Sequence, residues 1–298
     1  KFDTWKLVQE KYVETLEELD VAENGIAKKI NQSVVQKDEV YKQEEITNHD
    51  LASFVDILQK KVGEGSNWIH YGLTSSDIVD TANSVLIMQS LDYVKDLIND
   101  LLSTLQEKAV QEKDTSIIGR THGVYAEETF LGNIFGNWHL EVARGLNRLE
   151  NSKNNISFGK LSGPVGNHSV VTSEMEKLTL EKLNLKPEQF ANQIVSRDRY
   201  AEVVSSLGIL ASTYERIATN IRSYQRSEIS EMFESFKDGQ KGSSAMPHKK
   251  NPIGSERITG LARIMRSYVS TSLENMVLWN ERDTVSYTHL TLPTTYEV

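Results

Sequence analysis

The chain has 298 residues, 38% of them hydrophobic and 25% charged, with no cysteine and a formal net charge of −9. A chain of this size buries a sizeable core without staples, and the lack of cysteine excludes both a disulfide framework and a thiolate metal site. The acidic balance speaks against a nucleic-acid binder, no stretch approaches the ~20 apolar residues that span a bilayer, and the opening Lys1-Phe2-Asp3-Thr4-Trp5 lacks the apolar core of a signal peptide. The expectation is a cytoplasmic protein with neither nucleic-acid nor membrane partners.

All five prolines stand at or after Pro164, so nothing in the first half forces a helix to stop. Short helices before Gly72 form a small leading lobe, residues 1–72. A long helix is expected over residues 74–113, because Leu91, Val94, Ile98, Leu101 and Leu105 step by threes and fours along one face. Thr74 and Asp77 have the spacing of a capping box at its start. A second long helix is expected over residues 124–151 and a third over 192–231, the latter carrying Val195, Leu207, Leu210 and Ile217. A fourth follows Pro252. Strand signals are short, as in Ser116-Ile117-Ile118 and Val170-Val171-Thr172. The fold class is therefore all-α: a helical lobe over 1–72, then a long-helix bundle over 73–283. Two loops rich in glycine and proline, residues 159–168 and 238–252, interrupt it and are expected to be mobile or specially shaped.

Seven histidines are present, and this side chain alone titrates near neutrality without a perturbed environment. His122 lies in Gly119-Arg120-Thr121-His122-Gly123, where flanking glycines let the backbone approach a ligand. On that feature alone an ordinary polar contact is the better reading. The same holds for His49, in Asn48-His49-Asp50, and for His70, in Trp68-Ile69-His70-Tyr71-Gly72, while His139 and His168 read as structural.

The second loop reads Gly242-Ser243-Ser244-Ala245-Met246-Pro247-His248-Lys249-Lys250-Asn251-Pro252. From Lys241 to Arg266 six basic residues face one acid, Glu256, a local balance of +5 in an acidic chain. Asn251 and Pro252 open the fourth helix as cap and first residue. Its free N–H groups and positive dipole end are expected to meet an anion beside Lys249. A flexible solvated connection is the plainer alternative. The sequence contains no phosphate-binding glycine loop, no His-Glu-x-x-His helix and no nucleophile elbow, so neither a cofactor nor a metal is expected.

The run from Gly242 to Glu256 resembles the signature of the fumarase/aspartase superfamily, and its Ala-Met-Pro-His-Lys form resembles the adenylosuccinate lyase family most closely. His70-Tyr71-Gly72-Leu73-Thr74-Ser75-Ser76-Asp77 and Gly119-Arg120-Thr121-His122-Gly123 agree with the same pattern in order and spacing. The resemblance implies β-elimination of fumarate from adenylosuccinate, giving AMP, and from the succinyl-carboxamide ribotide of purine synthesis. It implies Ser243 as general base, His122 as general acid and His49 as an assisting catalytic residue. It places Asn48, Asp50, His70, Thr74, Ser75, Thr121, Gln193, Lys249, Asn251, Glu256 and Arg282 around an anionic nucleotide substrate. It also implies a homotetramer whose active sites are shared between subunits. Another fumarate-releasing lyase, of the argininosuccinate, aspartate or carboxymuconate type, and a non-catalytic helical assembly are the alternatives. The chain departs from the family pattern at Asn48, where arginine is usual, and after Asp283. Residues 284–298 are expected to be a non-native tail standing where final helices and a C-terminal domain would follow.

Overall fold

The computed structural model describes residues 1–246, 248–278 and 280–282, so the expected tail, residues 284–298, lies outside the described residues. Helices carry the fold: among the described residues there are nine α-helices and two small two-stranded sheets. The chain forms two compact units, described in turn.

The first unit comprises Lys1–Leu91, Lys153–Arg199 and the described residues from Asn275 on. Helix α1 (Phe2–Glu18) buries Phe2, Trp5, Val8, Tyr12, Val13 and Leu16, one stripe at helical spacing. It packs on α2 (Ile26–Gln32) and α7 (Ser173–Lys182), while α3 (Lys37–Thr47) packs on α4 (Asp50–Val62). Phe54 stacks on Phe2 with ring centroids 5.9 Å apart, and Trp5 meets Phe54 edge-on at 5.5 Å. Ile78, Ala82 and Val85, from the start of α5 (Ser75–Gln111), join the same core.

A buried ion pair fastens loop 159–168 to the start of α5. Lys160 and Asp77 are both without solvent exposure and bond through Nζ and Oδ1. Lys160 Nζ also donates to the Gly163 carbonyl at 3.0 Å, and the Gly163 amide donates to Asp77 Oδ2 at 3.2 Å. Leu161 N donates to buried Glu176 Oε1 at 2.7 Å. This loop is thus specially shaped by polar ties. The Thr74 amide donates to Asp77 Oδ2 at 2.8 Å, one arm of the expected capping box. Val170 and Val171 form no strand; Thr172 caps α7 by accepting from Met175 N at 3.2 Å.

The second unit comprises Asp92–Ser152 and Tyr200–Glu274. It holds the later part of α5, the hairpin β1 (Ser116–Thr121) and β2 (Val124–Phe130), nearly all of α6 (Leu131–Ile156), most of α8 (Arg197–Tyr224), and α9 (Ile253–Glu274). The expected stripe on α5 is present, with Leu91, Ile98 and Leu105 buried and Val94 and Leu101 half-buried. Small residues let these helices close up: a Cβ at Gly145 would meet Leu210 at 2.7 Å, and one at Gly208 would meet Val269 at 2.5 Å.

Three helix boundaries differ from expectation. The first long helix is Ser75–Gln111. The second begins at Leu131, because residues 124–130 pair with β1. His122 and Gly123 form a two-residue turn with φ of 56° and 80°, a backbone that matches the twist of paired strands. Val124, Tyr125, Thr129 and Phe130 then favour extended backbone over helix. The third helix is Arg197–Tyr224, narrower at both ends than residues 192–231.

Candidate active site

The second unit carries His122 and the signature loop. His122 stands exposed at the hairpin tip, and the pair Thr121 and Val124 closes the turn beneath it. The hairpin is held from the side. Arg120 donates from both terminal nitrogens to Glu231, each at 2.7 Å, and its guanidinium lies 5.2 Å from the Tyr125 ring. Those hydrogen bonds hold the Glu231 carboxyl below the usual carboxylate range.

In the signature loop, Ser243 Oγ accepts from the amides of Ala245 and Met246 at 3.3 and 3.2 Å. Two donors on one hydroxyl oxygen favour its deprotonated form. Asn251 Nδ2 donates to the Gly242 carbonyl at 2.8 Å and closes the loop. Gly242 is packed so tightly that a Cβ would meet the Lys249 carbonyl at 2.2 Å, so no other residue fits.

The expected anion site at the start of α9 is corrected. The amides of Gly254 and Ser255 already donate to Glu234, at 3.0 and 2.6 Å. The helix dipole does attract a carboxylate, but the protein supplies its own. Burial works against the charge on Glu234, yet the Ser255 and Gly254 donors outweigh it and keep its carboxyl below the usual range.

Arg222, Arg226, Lys249 and Lys250 instead bring positive charge to the wall of a cavity of about 840 Å³, which His248, Asn251 and Glu256 also line. Ser243 is not part of that wall. A second cavity, about 500 Å³, lies under the hairpin tip between Arg120, Gly123, Tyr125 and Tyr224, and shares Ser223 and Arg226 with the first. Hairpin tip and signature loop therefore open onto adjoining spaces at the end of α8. Arg222, Arg226, Glu231 and Glu234 were not legible as site residues. The i,i+4 arginine pair at a helix end was the available signal, and it is common on solvated faces.

The first unit brings other expected residues together. His49 caps α4, its Nδ1 accepting from Ala52 N at 3.3 Å, so Nε2 faces the Ser75 hydroxyl at 3.4 Å. Asn48 ends α3 in the left-handed conformation (φ 51°). Asp50 pairs with Lys1 at 3.0 Å. His70 is bracketed by Gln9, whose Oε1 accepts from the His70 amide at 3.0 Å and whose Nε2 lies 3.1 Å from the ring Nδ1. Burial, with His49 nearby, pushes the His70 pKa down to about 4, so the ring is neutral at pH 7. Arg282 donates to Gln193 Oε1 at 3.4 Å.

Comparison with known proteins places these features in a family. Residues 7–266 match the family described as Lyase. The adenylosuccinate lyase of Thermotoga maritima is 45% identical over 284 residues, which is 95% of this chain and 66% of that protein. That of Aquifex aeolicus is 45% identical over 258 residues, 87% of this chain and 58% of that protein. The chain thus spans somewhat less than two thirds of these relatives' length. The 3-carboxy-cis,cis-muconate lactonizing enzyme of Pseudomonas putida superposes with a TM-score of 0.88 over 97% of this chain and 67% of that one, at 22% identity, a likeness of fold. With the family match covering most of its length and its signature loop intact, the chain belongs to this lyase family, of the fumarase/aspartase type.

Proposed function

We propose that the protein is an adenylosuccinate lyase. The observation that carries this reading is the 45% identity to an adenylosuccinate lyase across 95% of the chain, with the Ala-Met-Pro-His-Lys loop unbroken. Ser243 takes the Cβ proton of the succinyl group, the electron pair forms the C=C bond of fumarate, and the Cα–N bond breaks. His122 returns a proton to the leaving nitrogen, giving AMP, or the carboxamide ribotide from the second substrate. A serine hydroxyl is a weak base, and the amides of Ala245 and Met246 on its oxygen support the charged form. Lys249 and Asn251 offset the charge that develops on the adjacent carboxylate.

His49 assists, and Asn48, Asp50, His70, Thr74, Ser75, Thr121, Gln193, Glu256 and Arg282 hold the substrate's anionic and base groups. As a functional division, residues 1–72 bring His49 and His70, and residues 73–283 bring base and acid. The chemistry runs without a cofactor. We place the enzyme in the cytoplasm; no helix among the described residues is long and apolar enough to cross a membrane. We further propose a homotetramer with shared active sites. Leu97, Leu140, Leu261, Ile264 and Tyr268 lie exposed on the long helices, large apolar side chains that subunit packing would cover.

The test is an assay of adenylosuccinate absorbance loss, with fumarate release from argininosuccinate, aspartate and carboxymuconate compared alongside. Ser243→Ala and His122→Ala are the controls. Turnover of adenylosuccinate that both substitutions abolish supports the reading. A preference for another substrate, or activity that survives both substitutions, overturns it.

A further inference from the structure

Between α8 and α9 runs a short irregular segment, residues 225–236, whose polar groups reach in two directions. Glu231 takes both terminal nitrogens of Arg120, two positions before His122 on the hairpin. Three residues later, Glu234 takes the first amides of α9 at Gly254 and Ser255, just beyond the signature loop. Gln225 adds a third tie: its Oε1 accepts from the Glu234 amide at 3.1 Å, and its Nε2 donates to the Lys250 carbonyl at 2.9 Å. Gln225 is 9% exposed, so these bonds compete little with water.

We propose that residues 231–234 form a two-carboxylate strap that sets the hairpin bearing His122 and the loop bearing Ser243 in fixed relation, with Glu231 and Glu234 as positioning residues. The proposal rests on the roles assigned to His122 and Ser243 above. The physical need is plain. β2 is largely exposed and no residue of β1 is fully buried, so the hairpin has little apolar packing to aim its tip. A bidentate Arg–carboxylate pair fixes orientation as well as distance, which a single bond does not. The signature loop is likewise exposed at Ser244, Ala245 and Met246 and is anchored at its far end by Glu234. Both carboxyls are held below their usual range by these donors, so the strap is charged at neutral pH.

The experiment compares Glu231→Gln, Arg120→Lys and Glu234→Gln in the full-length protein, with His122→Ala and Ser243→Ala as controls. Each strap variant keeps a side chain of similar size. Hydrogen exchange should rise in residues 116–130 for Glu231→Gln and Arg120→Lys, and in residues 242–256 for Glu234→Gln, while melting temperatures stay close to the parent. The kcat should fall by about 10- to 100-fold with little change in KM, because misplacement by ~1 Å carries such a cost. Glu231→Gln should also move the limb of the pH profile that His122→Ala removes, and Glu234→Gln should leave that limb in place. Unchanged exchange, or raised exchange with kcat within about two-fold of the parent, overturns the strap. So does activity lost only in proportion to unfolded protein. If His122→Ala and Ser243→Ala stay active, the assignment of acid and base fails, and exchange alone then decides whether the strap holds the two segments.

Discussion

Lys160 and Asp77 in the first unit and Arg120 and Glu231 in the second are both oppositely charged pairs, yet they do different work. The first pair has no solvent exposure and is bonded to buried Thr81 and Gly163. The second is partly exposed, at 16% and 24%, and touches an element that core packing hardly holds. Buried charge in the first unit answers to stability, because losing one partner strands the other in a medium that cannot solvate it. Charge in the second unit lies beside open cavities, where it can meet an anionic ligand. The comparison teaches that the buried pair holds shape and the partly exposed pair holds aim.

The sharpest way to break this contrast is to show that the second unit's residues cost stability instead of rate. Ser243→Ala and His122→Ala are expected to lower kcat by roughly 10²- to 10⁴-fold, the usual worth of a positioned base or acid. Their urea midpoints should stay close to the parent. A large loss of stability with modest loss of turnover would erase the distinction.

Next in size is Lys160→Met. It removes the cation facing Asp77, whose carboxyl is already pushed up by burial and drawn back by Lys160. The expected cost is about 3–5 kcal/mol in unfolding free energy. The double variant Lys160→Met with Asp77→Leu should recover most of it, since an apolar pair needs no solvation. No recovery would mean that the ties to Gly163 and Thr74 matter more than the charges.

His70 gives a pH test confined to the first unit. Its folded pKa, about 4, lies below the value of about 6.5 for an unfolded chain, so the unfolded state binds the extra proton between those limits. Stability from this group is complete above about pH 6.5 and falls as pH drops toward 4, by on the order of 3 kcal/mol. Denaturant unfolding at pH 7.5 and pH 4.5 should show this slope, and His70→Gln should flatten it.

The smallest effect is expected for Gly123→Ala. At φ 80° a Cβ strains the turn, although nothing lies within 4 Å of it. About 1 kcal/mol is expected, confined to the hairpin and visible as faster exchange in residues 116–130.

Much of this molecule was legible before any coordinates. The stripe of α5 follows from helical spacing, because a repeat of three and four has one way to bury itself. The signature loop was legible as a unit because its eleven residues are unusual together. The hairpin was missed. Its two-residue turn is His122-Gly123 instead of the commoner Asn-Gly, and its strands are too polar at Glu127 and Glu128 to stand out. The anion site at α9 was misread for a different reason. Asn251 and Pro252 do mark a helix start, but no local signal tells that Glu234 will already occupy its amides.

By itself, then, the sequence determined where apolar stripes lie, where chains of helix can run unbroken, and which loop carries chemistry. These depend on residues a few positions apart. Only the tertiary structure decided that Lys160 answers Asp77 across 83 positions, that Arg120 answers Glu231 across 111, and that Glu234 closes the start of α9 from 20 positions away. A charge at such separation has many possible partners in sequence, and the packing of helices around it selects one.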